Sequence, residues 1–411
     1  MTRLPPELTA PHFPWLKDKA GAVAHVDQAG VIHGRDPFTG ATIPVEAAAA
    51  IAAHWRALSR ANAPIRVATG MAWWKRQRIA QFLWAEGHAP LTFADDAEGA
   101  LSAAAGGRIA TWPSRAPAGL AGQAGERLVR VEDGFIRSIG LGADLHPPLS
   151  IVVDQSGIYY DPTRPSDLET ILQTADFTPD LLARAAALRT LIVERGISKY
   201  ASAAPLAPAP RRTGKRVVLV PGQVEDDQSV RLGGAGIASN LDLLARARAA
   251  EPDAYILFKP HPDVDAGHRV GRVPDADLLA HADEVVRGEA MPALLGRVDA
   301  VHVLTSLTGF EALLRGLDVT VHGHPFFAGW GLTRDLAGPL PRRTRRLDLD
   351  ALVAGALILY PRYLDPMTEL PCPPEVLLRR FADGWRPRET WLIRARRVQG
   401  RIARALGTVS R

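Results

Sequence analysis

One cysteine, Cys372 in a Leu-Pro-Cys-Pro-Pro run, stands in a chain of 411 residues. Disulfides within the chain and cysteine-rich zinc sites are thereby excluded, and a reducing, cytoplasmic setting is expected. Long apolar runs are missing too: no stretch of about 18 uncharged apolar residues occurs, so no membrane span is expected. The opening Met1 to Pro14 run has no apolar core of a leader, and secretion is not expected. Basic excess is scarce outside one place. The net charge is +5, yet residues 386–411 alone hold eight arginines against the single Glu389. With no basic face elsewhere and no aromatic stacking module, nucleic acid is not an expected partner.

What is present is an ordinary globular composition, 47% hydrophobic and 23% charged, in a length that suits two α/β domains. An extension over 1–60 carries proline-rich coil, short β-like runs and an alanine-rich helix from Pro44 to about Arg60. From Ile65 the apolar pattern alternates between strand and helix periods. Strands are read over Ile65–Gly70, Pro90–Ala94, Arg108–Trp112, Arg127–Val131 and Leu149–Asp154, with helices over Trp73–Glu86 and Asp96–Ala105. A first Rossmann-like domain is expected over 61–200, a Pro/Ala-rich linker over 201–215, and a second such domain over 216–340. The remaining 341–411 is read as a helical segment whose last turns, with apolar residues from Trp391 to Leu406 at helical spacing, form a basic amphipathic tail. That tail either lies on an anionic membrane surface or closes the fold as a packed helix.

Three strands of the second half each empty polar residues at their carboxyl ends, the end where open α/β sheets bind ligands. The run from Val217 ends in a Pro-Gly turn with Gln223 and three acids, Glu225, Asp226 and Asp227. The run from Tyr255 ends in Lys259 and a proline-flanked His261, which the prolines hold at the strand's mouth. The run from Ala300 ends in Thr305, Ser306, Thr308 and Gly309 before a helix, whose free N–H groups favour an anion. Each alone is as well explained by turn and cap chemistry; three in register point to a site. The first half adds Glu132, Asp133 and Arg137 after its own strand, and Tyr159 and Tyr160 in a turn-rich segment read as structural. Asp263 and Asp265 have the spacing of a metal-binding pair and are read as solvated loop, so no metal is expected. Two Rossmann-like domains facing a central cleft make the GT-B glycosyltransferase plan, and fold alone does not name a reaction.

The motifs name it more narrowly. Glu132-Asp-Gly-Phe-Ile-Arg-Ser138, Gly157-Ile-Tyr-Tyr-Asp161, Ile197-Ser-Lys-Tyr200, Gln223-Val-Glu-Asp-Asp227, Lys259-Pro-His-Pro262, Thr305-Ser-Leu-Thr-Gly-Phe-Glu311 and Phe327-Ala-Gly-Trp-Gly-Leu-Thr333 follow one another in the order of the KpsC-type capsule polysaccharide proteins. The chain resembles that family from about Ile65 to Val376. The resemblance implies a retaining β-Kdo transferase that takes CMP-β-Kdo as donor, without a cofactor, and extends a Kdo-terminated glycolipid or oligo-Kdo acceptor. It implies Asp227 as nucleophile of a double displacement, Glu132 as acid/base, and Gln223, Glu225 and Asp226 as orienting groups. His261, Thr305 and Ser306, with the helix after Thr308, would meet the departing phosphate. Arg137 first, then Lys259 or Arg231, would hold the Kdo carboxylate. Familiar members carry two such modules, and this chain has room for one, so a second polypeptide and other capsule proteins are expected to complete an alternating product. The alternatives are a transferase of another CMP-sugar, such as a sialyltransferase, and a non-catalytic export or scaffold protein.

Overall fold

The computed structural model describes residues 4–16, 21–137, 146–198, 214–267 and 269–387. The linker and the arginine-rich tail, apart from their margins, fall outside the described residues, as do Ser138, Lys199 and Tyr200 of the quoted motifs.

By internal contacts the chain divides into two compact units. The first comprises the described parts of Met1–Arg137, Pro147–Val153 and Pro361–Asp383. It opens with a small antiparallel sheet of β1 (Ala24–Val26), β2 (Ile32–Arg35) and β3 (Thr42–Ile43), followed by the Val45–Asn62 helix. That helix buries Ala48, Ala52 and Trp55 along one stripe, and the Trp55 indole N–H donates to the Pro371 carbonyl at 2.6 Å. Next come β4 (Ile65–Thr69), β5 (Thr92–Ala94), β6 (Arg108–Thr111), β7 (Leu128–Asp133) and β8 (Ser150–Asp154). The pairs β5/β4, β4/β6 and β6/β7 are parallel. The expected helix over Trp73–Glu86 is shorter, a 3-10 turn at Trp73–Lys75 followed by Arg76–Phe82. The reason is tertiary: the buried Asn62 amide donates to the carbonyls of Phe82 and Trp84, which draws them out of the helical ladder.

The second unit comprises the described parts of Ser138–His146, Asp154–Tyr360 and Gly384–Arg411. Its strands are β9 (Val217–Pro221), β10 (Tyr255–Lys259), β11 (Glu284–Val285), β12 (Ala300–Val303), β13 (Asp318–Val321) and β14 (Arg334–Asp335), in the order β11-β10-β9-β12-β13-β14 and all parallel. Every residue of β9 is buried, as a central strand covered by helices on both faces requires. The order runs outward from β9 in both directions, so the topological switch point falls between β9 and β12, where the connections leave in opposite directions. Val218, Val220, Ile256, Phe258, Leu243 and Leu244 form the core beneath it.

Residues 341–411, read as helical, also hold β15 (Pro361–Leu364) and β16 (Pro371–Cys372). The strand β15 pairs antiparallel with β8, so the chain returns after Tyr360 to complete the seven-stranded sheet of the first unit. Cys372 is buried there, and burial pushes its thiol well up, which suits an inert structural residue.

Candidate active site

At the switch point, β9 ends in Pro221 and the chain turns through Gly222 to the Gln228–Gly233 helix. Asp227 caps that helix. Its Oδ1 accepts from the Ser229 backbone N–H at 2.9 Å and the Ser229 hydroxyl at 2.7 Å. Asp227 is exposed, and among the described residues its Oδ2 makes no hydrogen bond. The three acids do not form one cluster. Glu225 turns inward, its Oε1 accepting from the Asn240 N–H at 2.7 Å at the start of the Asn240–Ala250 helix. Asp226 faces water and pairs with Arg269 at 2.9 Å. Each of the three has one oxygen engaged among the described residues; Asp227 differs in that it is exposed and has no arginine or lysine paired with it there.

Two residues that sequence reasoning passed over hold this turn in place. Asn240, 4% exposed, accepts from the Gln223 N–H at 2.7 Å and donates to the carbonyls of Gln223 and Gly271. Gly271 is required for that approach: its φ is +122°, and a Cβ there would lie 2.8 Å from the Asn240 amide nitrogen. Ser229 is the other. A serine two residues after an aspartate reads as capping, so neither gave a signal distinct from ordinary turn chemistry.

Gln223 spans the switch point. Its Oε1 accepts from the Thr305 N–H at 2.9 Å and its Nε2 donates to the Thr305 hydroxyl at 2.9 Å, clamping the loop after β12 to the loop after β9. The Thr305 hydroxyl lies 3.3 Å from that of Ser229. Ser306 and Thr308 make a local cap, with the Ser306 hydroxyl donating to Thr308 Oγ1 at 3.1 Å and accepting from the Thr308 N–H at 3.3 Å. Gly309 is a packing residue of the Thr308–Leu314 helix, since a Cβ there would lie 2.6 Å from the Phe327 ring.

Beside β9, the strand β10 delivers Lys259 and His261. Lys259 is half-buried and has no ion pair among the described residues. Burial lowers its pKa, while the more distant Glu289 and Asp265 oppose the change. His261 Nδ1 accepts from the Asp263 N–H at 3.2 Å, which places the proton of the neutral ring on Nε2 and makes that atom a donor. Arg231 is exposed on the Gln228–Gly233 helix. Asp265 pairs with Arg287 at 2.8 Å, apart from Asp263. Among the described residues no three His, Cys, Asp or Glu side chains are placed to hold a metal ion. An open hollow of about 420 Å³ lined by Arg216, Glu251 and Ala254 lies at the amino ends of β9 and β10. That is the opposite end from the turns just described, and Arg216 there is paired with Glu251 and Asp318.

The first unit builds its own constellation where β7 ends. Glu132 accepts from the Asp133 N–H at 3.0 Å. Asp133 is bracketed by two cations, accepting from Arg137 Nε at 2.6 Å and from Lys75 Nζ at 3.2 Å. Arg137 is 2% exposed. Lys75, which the sequence placed on an unremarked helix, sits 3.4 Å from the Trp112 ring centroid. Burial lowers the Lys75 pKa, and Asp133 works against that. Asp133 is therefore an ion-pair hub.

Residues 108–209 and 186–363 match the family model described as capsule polysaccharide biosynthesis protein. The chain is 51% identical over 241 residues to the capsule polysaccharide modification protein LipA of Neisseria meningitidis serogroup A, covering 59% of this chain and 34% of that protein. It is 46% identical over 241 residues to the lipopolysaccharide-processing protein LpsZ of Rhizobium meliloti, covering 57% of this chain and 54% of that one. The chain thus spans well under two thirds of the length of these relatives. Among solved structures, it superposes on the Thermosulfurimonas dismutans KpsC β-Kdo 2,7 transferase with a TM-score of 0.63 at 36% identity, over 77% of this chain and 98% of that one. For the β-Kdo 2,4 transferase of the same organism the TM-score is 0.65 at 33% identity, with the same coverage. The fold is accordingly the GT-B-like α/β one of those structures.

Proposed function

The chain belongs to the capsule polysaccharide biosynthesis protein family, and from that premise we propose that it is a retaining β-Kdo transferase, using CMP-β-Kdo to extend a Kdo-terminated glycolipid. The likeness to the two KpsC transferases supports the sugar. The observation that carries the mechanism is Asp227, exposed at the switch point of a parallel sheet, with one oxygen tethered and the other making no hydrogen bond among the described residues. In the proposed first step Asp227 attacks the anomeric ketosidic carbon, and the bond from that carbon to the CMP phosphate oxygen breaks with its electron pair leaving on CMP. In the second, the acceptor hydroxyl attacks the same carbon, the carboxylate leaves, and Glu132 takes the hydroxyl proton. Two inversions retain the anomer, and each step is easier than a direct displacement.

His261 Nε2–H and the Ser306 turn meet the negative phosphate, where fixed donors stabilise developing charge without reorganising. Lys259 is preferred over Arg137 for the Kdo carboxylate: Arg137 is buried and paired with Asp133, whereas Lys259 is half-buried with no ion pair among the described residues. Metal independence belongs to the same proposal and is checked by assaying in EDTA. So do a second polypeptide for an alternating product, and attachment of residues 386–411, of which 388–411 lie outside the described residues, to an anionic cytoplasmic membrane face. No helix among the described residues is long and apolar enough to cross a membrane.

The deciding experiment incubates purified protein with CMP-Kdo generated in place and a panel of Kdo-terminated acceptors. NMR of the product fixes sugar, linkage and anomer, and intact-mass measurement seeks a Kdo adduct that disappears in Asp227→Asn. A product with inverted anomer removes the mechanism, preference for CMP-sialic acid removes the sugar, and absence of any donor turnover returns the chain to an export or scaffold role.

A further inference from the structure

The hydrogen bonds around Asp227 have a direction that can be worked out. The Thr305 backbone N–H can only donate, so the Gln223 atom 2.9 Å from it is the amide oxygen, and the amide nitrogen must be the one facing the Thr305 hydroxyl. Thr305 Oγ1 therefore accepts from Gln223, and its single hydrogen points to Ser229 Oγ at 3.3 Å. Ser229 Oγ, accepting in turn, spends its own hydrogen on Asp227 Oδ1 at 2.7 Å. An ionised carboxylate can only accept, so it is the natural end of the chain, and each donor polarises the next toward it.

We infer that Ser229 is a positioning residue for the nucleophile. It is the link through which the Gln223–Thr305 clamp fixes the rotamer of Asp227 and directs Oδ2 as the attacking oxygen. This rests on the reading of Asp227 as the nucleophile. The backbone N–H of residue 229 holds Oδ1 whatever side chain stands there, so the hydroxyl contributes orientation rather than the cap itself. A consequence concerns Thr305: its hydroxyl hydrogen is committed to this relay and is not a donor to the departing phosphate. The relay also joins the loops after β9 and β12, so the attacking carboxylate and the Ser306 turn are set by one hydrogen-bonded unit.

The test compares wild type with Ser229→Ala, Ser229→Thr, Thr305→Val and the double variant Ser229→Ala/Thr305→Val, in steady-state transfer and in the rate of Kdo adduct formation. The expected result is a fall of about 10- to 100-fold in kcat and adduct rate for Ser229→Ala, the effect of one hydrogen bond to a charged group, with the KM for CMP-Kdo unchanged. Ser229→Thr, which keeps a hydroxyl, restores most of the rate, and the double variant is no slower than the worse single one, because both remove the same chain. Normal kcat in Ser229→Ala, a loss confined to KM, failure of Ser229→Thr to restore the rate while its melting temperature is normal, or multiplicative single effects would each overturn the inference. If wild type turns over CMP-Kdo without an adduct, the nucleophile reading itself has failed, a result distinguishable from all of these.

Discussion

Two histidines in the core of the second unit set a pH limit on the sheet that carries the site. His302 lies on β12 with 0% exposure, His322 just beyond β13 with 4%, and Nδ1 of the first is 3.1 Å from Nε2 of the second. Burial first, then the cations Arg334 and Arg216, pushes His302 down to about 4. Burial first, then His302, Arg246 and Arg334, pushes His322 down to about 4, with Asp242 opposing. Glu251 is 3.6 Å from His302 Nε2 and would favour a charged ring, but that nitrogen makes no hydrogen bond among the described residues and Glu251 is also 3.7 Å from Arg216. The desolvation therefore wins and the pair is neutral.

In the unfolded chain both rings titrate near about 6.5. Between there and about 4 the unfolded state binds more protons, so the stability held above the upper limit is lost as pH falls through the lower one. A displacement of that size is worth about 3 kcal/mol for one ring; because the rings share a hydrogen bond and titrate together, the pair loses about 3–6 kcal/mol. The assay is urea unfolding at several pH values from 7.5 to 4.5, in wild type and in His302→Met/His322→Met, which keeps bulk and removes both titrating groups. Wild type should lose about 3 kcal/mol or more beyond the loss of the variant across this window. Parallel pH dependences in the two proteins would refute the argument.

Asp227→Asn should lower transfer by about 10³-fold or more while leaving the melting temperature nearly unchanged, because asparagine caps a helix as well as aspartate does; near-normal turnover would exclude the nucleophile. Lys259→Met should raise the KM for CMP-Kdo by about 10-fold or more, and His261→Ala should lower kcat by about 10²-fold, as loss of a carboxylate contact and of a leaving-group donor predict. Steady-state kinetics with varied donor separates the two. Gly309→Val should cost about 1–3 kcal/mol by driving its side chain into the Phe327 ring, read by thermal unfolding; an unchanged melting temperature would show that the ring moves aside easily.

The strands β4 to β10 and β12 of the two larger sheets were legible because apolar runs such as Val217–Pro221 and Tyr255–Lys259 are largely buried and are bounded by proline and glycine. The helix ends were less so. Trp73–Glu86 carries a helical pattern throughout, but its end is set by Asn62, whose side chain arrives from another element. The return of Pro361–Leu364 to pair with β8 was hidden for the same kind of reason: a four-residue strand shows no period of its own and is defined by its partner.

The motifs alone determined which chemistry-bearing residues the chain possesses, and that Gln223, Lys259, His261 and Thr305 stand at strand ends, because local order along the chain dictates strand, turn and helix. Only the tertiary structure decided what each is free to do. Three adjacent acids look equivalent in the sequence, yet Glu225 turns inward to a helix start, Asp226 pairs with an arginine, and Asp227 caps the next helix while exposed and without an ion pair among the described residues. Arg137 looked like the better anion binder until its burial against Asp133 appeared, and Lys75, Asn240 and Ser229 carried no signal at all. Hydrogen-bond partners and burial depend on groups tens of residues apart, from Gln223 to Thr305 and from Lys75 to Asp133. Which lone pair is left for a substrate is therefore a property of the folded packing.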